Sequence, residues 1–152
     1  MQYREDGGRV SEVRRLGHAE LQAFLDERCR EPGLTNCDIY DLEAAAACSV
    51  IMASHGSARG ENCLLRAKDE ALFPLSGVFS VCDVAYVITV LRVSDENLGM
   101  NDFSAAVDDV EAKVRAMAAG DNGIRGFLFL LSLTEEGDAA MVDIILTGEA
   151  AA

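Results

Sequence analysis

Few residues in this chain have the type and spacing to do chemistry. The best placed are His55 and Ser57, an imidazole and a hydroxyl in the glycine-bearing stretch His55–Gly60, HGSARG. A serine attacks only when a base takes its proton, a third group orients that base, and an oxyanion hole receives the charge. The elbow that presents such a serine reads Gly-x-Ser-x-Gly, and Gly56-Ser57-Ala58-Arg59-Gly60 puts the serine one place early. The glycines and serine therefore predict a turn or loop over 55–60.

Metal ligation has His18, His55, Cys29, Cys37, Cys48, Cys63 and Cys82 to draw on. Structural zinc needs close pairs such as Cys-x2-Cys. The nearest cysteines, Cys29 and Cys37, are too far apart for that, so no metal site is expected and the thiols read as reduced, small hydrophobes. Neither glycine-rich phosphate cradle occurs, so no nucleotide cofactor is expected. The adjacent carboxylates Asp95-Glu96, Asp108-Asp109 and Glu135-Glu136 read as solvated faces, because neighbours in sequence do not converge on one point. Asp83 and Asp143 differ, since each interrupts an apolar strand-like run. Burying a carboxylate is costly unless it is paired or hydrogen-bonded. Each is expected on a strand rim facing water, with a partner-facing or lumen-facing position as the functional alternative. No catalytic residue, cofactor or metal is assigned, and the chain is expected not to be an enzyme.

The elements that would position these residues centre on Ser76–Val93, SGVFSVCDVAYVITVLRV, apolar at both parities over most of its length. Such a run means a strand covered on both sides. Before it, His18–Arg30 carries Leu21, Phe24, Leu25 and Cys29 on one helical stripe and stops at Pro32-Gly33. Residues 34–43 read as a linker, 44–54 more as a strand although its alanines alone could be helix, and 62–71 as either strand or short helix. After it, Phe103, Val107, Val110, Val114 and Met117 mark a helix over 102–119. Residues 124–134 and 139–147 read as two strands joined by a hairpin turn at Glu135-Glu136-Gly137-Asp138.

The fold class that follows is α+β: a single-layer mixed β-sheet with helices packed on one face and a closing β-hairpin. Residues 1–17 read as a polar N-terminal arm, 18–148 as one domain and 149–152 as a short tail. A chain of 152 residues with 50% hydrophobic residues can hold a core without staples. Its net charge of −13 excludes a phosphate-backbone binder, which needs clustered cations. No apolar leader region or membrane span is read.

In order and pattern, the chain resembles the tail-terminator and tail-completion proteins of tailed bacteriophages. The resemblance rests on a helix at Ala19–Cys29, a strand and loop at Ser49–Glu61, a long apolar strand at Val78–Val93, and the acidic loop Ser94-Asp95-Glu96-Asn97. An amphipathic helix at Phe103–Met117 and a hairpin over Phe127–Thr147 complete it. It implies a structural virion protein located in the tail or neck and assembled in the bacterial host cytoplasm. Such proteins form a homo-oligomeric ring, commonly a hexamer, that ends the tail tube and meets the neck or connector. DNA would pass through an acidic lumen without specific binding. The partners expected are itself, tail tube protein and neck proteins, with no membrane. Alternatives are another phage connector, neck or tail protein, a small cytoplasmic ligand-binding domain or enzyme with a scattered site, and a regulatory binding module.

Overall fold

The computed structural model describes residues 13–30, 33–36, 39–94, 100–118, 123–134 and 137–151. Its elements run β1 (Arg14–Arg15), α1 (His18–Arg30), β2 (Gly33–Asn36), α2 (Ile39–Ala46), β3 (Val50–Arg59), α3 (Cys63–Leu72), a 3-10 segment (Leu75–Ser80), β4 (Cys82–Ser94), α4 (Met100–Met117), β5 (Gly126–Thr134) and β6 (Ala139–Ala150). The strands form one six-stranded sheet in the order β1-β3-β6-β4-β5-β2. The β4–β5 pair is parallel and every other pair is antiparallel. The fold is α+β, one mixed sheet with helices packed on it.

The doubly apolar run forms β4, an inner strand between β6 and β5. Its two parities enter two separate cores. Val87, Leu91 and Val93 join Leu64, Ala67 and Leu72 of α3 and Val110 and Val114 of α4. Tyr86, Ile88 and Val90 join Leu21 and Leu25 of α1 and Ala45 of α2. Face A of the sheet lies beneath α3 and α4; face B, opposite, carries α1 and α2 as a second, smaller layer. A fully buried Leu or Ile contributes about 1.5–3 kcal/mol, so β4 and β6, buried on both sides, hold the molecule together. The helix α4 provides the crossover that two parallel neighbours require.

Several expectations are corrected. The closing hairpin is absent: β5 and β6 follow one another in the chain but lie on opposite sides of β4. β6 pairs antiparallel along Cys82–Val93 of β4, and β5 pairs parallel along Tyr86–Ser94 on its other edge. The start of the predicted long strand is the 3-10 segment Leu75–Ser80, which buries Leu75 and Val78 at its helical spacing of three. The linker over 34–43 contains β2 and the start of α2. The alanines 44–46 end α2, and the strand that follows runs through the predicted loop at 55–59. Gly56 serves packing rather than a turn. A Cβ there would lie 2.0 Å from the Ala67 carbonyl oxygen, so only glycine lets α3 press onto β3. The turn itself falls at Gly60, with φ 86. Residues 62–71 are helical, as α3. The tail at 149–152 is partly strand, since β6 runs to Ala150. Of the arm, residues 1–12 lie outside the described residues, and Arg14–Arg15 pair with Met52 and Ala53.

Candidate functional site

The cross-strand register decides which polar residues meet. On face B, His55 of β3 lies directly opposite Asp143 of β6, which lies opposite Val90 of β4. The His55 Nδ1 and Asp143 Oδ1 are 2.8 Å apart. The hydrogen bond to Asp143 raises the histidine's pKa above its usual value; burial opposes it, and the Asp143 and Glu70 charges support it. The imidazole is 51% exposed and the carboxylate 20%, so the pair sits at the rim of the second core. Asp143 thus lies at a rim, and pairing with His55 offsets the cost of its partial burial. Asp83 is exposed at the start of β4, as expected of a rim carboxylate.

One row further along face B lies Ser57, exposed and opposite the half-buried Met141. The structure thus gives His55 the orienting carboxylate that sequence could not supply.

Beside the pair runs a groove of about 90 Å³ between α1 and the sheet, lined by Arg14, Leu16, Glu20, Phe24, Ala53, Asp143 and Ile145. Leu16, Phe24, Ala53 and Ile145 belong to or pack against the second core, giving an apolar floor. Glu20 Oε1 accepts a hydrogen bond from the Gly17 amide at 3.1 Å, which holds the first turn of α1 and the groove wall. Sequence reasoning missed Arg14 and Glu20. The available signal was a charged residue at each end of a short connection into the first apolar stripe.

The other named candidates have structural roles. The His18 Nε2 donates to the Cys48 carbonyl oxygen at 2.8 Å, tying α1 to the start of β3. Cys48, Cys63 and Cys82 are buried free thiols, and burial pushes Cys82 up to about 11, far from a reactive thiolate. Cys29 lies near the end of α1, while Cys37, Asp95-Glu96 and Glu135-Glu136 lie outside the described residues. Asp109 does not sit on a solvated face: it pairs with Lys68 of α3 and, at 3.0 Å, with Lys113. Lys68 is nearly buried and also meets Asp69 at 2.8 Å. Burial opposes the charge on both groups, but the ion pairs outweigh it, raising Lys68 and lowering Asp109. Among the described residues, no three His, Cys, Asp or Glu side chains gather as a metal site. No described helix is long and apolar enough to cross a membrane.

No protein-family model matches the chain, and no curated protein does. Solved structures do. An FtsZ dimer, empty, from M. jannaschii shares 20% identity with a TM-score of 0.59, over 82% of this chain and 34% of that one. The FtsZ W319Y mutant from M. jannaschii shares 18% identity with a TM-score of 0.61, over 86% of this chain and 38% of that one. The chain thus spans little more than a third of the FtsZ chains it resembles, and at this identity the likeness shows the fold alone. It overturns the tail-terminator resemblance, which rested on the order of helices and strands and not on how the strands pair. The expectations of a tail-ending ring, a phage connector and a virion location fall with it. The fold of this chain is similar to part of FtsZ.

Proposed function

We propose that this chain is a non-catalytic protein-binding module that associates with a second copy of itself through the uncovered corner of face B. The observation that carries the reading is the unequal cover of the sheet. Face A lies under α3, α4 and the 3-10 segment, while α1 and α2 leave His55, Ser57, Met141 and Asp143 exposed or half-exposed on face B. These residues lie on two adjacent, regularly paired strands, so the corner is a rigid surface and not a loop cluster. One of the similar FtsZ structures is described as a dimer, which supports self-association on this fold. The proposal that the module hydrolyses no nucleotide is supported by the lack of either glycine-rich cradle in the sequence.

The test is solution mass by light scattering over a concentration series, for the unaltered chain and for Ser57→Arg. A mass that rises with concentration, and stays at the protomer value in the variant, is the expected result. A strict monomer at all concentrations, or an assembly indifferent to the arginine, would reject this surface. Phosphate release from ATP or GTP that scales with enzyme concentration would reject the non-catalytic reading.

A further inference from the structure

We infer that the groove between α1 and the sheet binds a free zwitterionic α-amino acid with a small apolar side chain. The argument is one of charge and shape. Arg14, at the groove, makes no side-chain hydrogen bond or ion pair among the described residues. A guanidinium with no such partner among the described residues, beside an apolar floor, is a ready receptor for a carboxylate, which it can grip with two parallel hydrogen bonds. The same groove presents the carboxylates of Glu20 and Asp143. A purely anionic ligand would meet repulsion from both, and a purely cationic one would meet it from Arg14 and from His55, whose protonation the Asp143 hydrogen bond favours. A ligand bearing both charges on one carbon satisfies the two walls together.

The floor sets the side chain. Leu16, Phe24, Ala53 and Ile145 form an apolar floor, and a groove of about 90 Å³ suits a small branched aliphatic group. The inference does not depend on self-association.

The experiment uses the isotopically labelled full chain, with amide spectra recorded during titration by L-valine, N-acetyl-L-valine and L-valinamide. L-Valine is expected to shift the amides of Leu16, Gly17, Ala53 and Ile145 saturably. Each blocked form should bind at least about tenfold more weakly, as expected for one lost charge-assisted contact. Arg14→Gln should weaken L-valine by about the same factor and erase its advantage over L-valinamide. Glu20→Gln keeps the acceptor for Gly17 and should erase the advantage over N-acetyl-L-valine. Both variants should melt within a few degrees of the unaltered chain, since neither side chain is part of a core. Absence of a saturable shift up to the solubility limit of L-valine overturns the assignment. So does equal binding by either blocked form, which would make the groove an apolar crevice or a receptor for one peptide terminus.

Discussion

The two faces of the sheet solve the same problem differently. On face A, α3 lies so close to β3 that Gly56 has no room for a side chain, and Ser54 donates to the Ala71 carbonyl oxygen at 2.6 Å. Two helices there are tied by Lys68, Asp69, Asp109 and Lys113. On face B, α1 and α2 seal Ile51, Ile88 and Leu128 but stop at the row carrying His55 and Asp143. On face A an ion-pair cluster locks two helices together; on face B the ionisable pair His55–Asp143 is left at a rim, while the buried Ser132 donates to the Arg28 carbonyl oxygen of α1. That difference is why face B holds the groove and the candidate surface.

The comparison breaks first at the packed core. Leu91→Ala, on face A at 0% exposure, should cost about 2–5 kcal/mol in urea unfolding. Phe24→Ala, from the half-buried rim of face B, removes a larger side chain and should cost less, because solvent already reaches one side. Equal losses would mean that α1 packs as tightly as α3.

Gly56→Ala and Ser57→Ala test adjacent residues that face opposite layers. The added methyl at position 56 meets helix backbone, and overpacking of that kind costs about 1–3 kcal/mol. The change at 57 trims an exposed hydroxyl and should fall within about 0.5 kcal/mol. A tolerant Gly56 would show that α3 can lift from the sheet.

Lys68→Ala sharpens the role of the ion pairs. Asp109 keeps Lys113, so it is not left alone, and the loss should be about 1–3 kcal/mol, below the 3–5 typical of a fully buried pair broken on one side. In the unaltered chain Asp109 is held below its usual range, so this contribution is present above about pH 4 and fades as pH falls through the lowered value. The variant should flatten that acid limb.

Much of this was legible in sequence, for identifiable reasons. The stripes of α1 and α4 were visible because each helix buries one side, and β4 because both of its sides are covered. Strand order was not, since an apolar strand pairs equally well with several neighbours and pattern carries no register. That is also why the hairpin between β5 and β6 was expected and β4 intervenes. The loop reading of 55–59 failed because glycine, serine and arginine can mean a turn or a strand under a close helix, and only the helix decides. His55 and Asp143 lie 88 residues apart. The single clue was that each polar group would be costly in its strand unless the other answered it.

A small effect is also expected from the pH response of that pair. The hydrogen bond to Asp143 raises the folded pKa of His55 above the ordinary value of 6.5. The protonated histidine is therefore favoured by folding, and the stabilisation is complete below about pH 6. It declines as pH rises through the folded value and is gone above it, the reverse of the Asp109 limb. Half of the imidazole faces water, so screening holds the contribution below about 1 kcal/mol. Unfolding midpoints of the unaltered chain and of His55→Gln, measured from pH 5.5 to 8.5, should converge at the alkaline end and separate toward the acidic end. A gap that instead widens at high pH would mean that the fold holds the neutral imidazole, and that the rim of face B is packed as firmly as the helix-covered side.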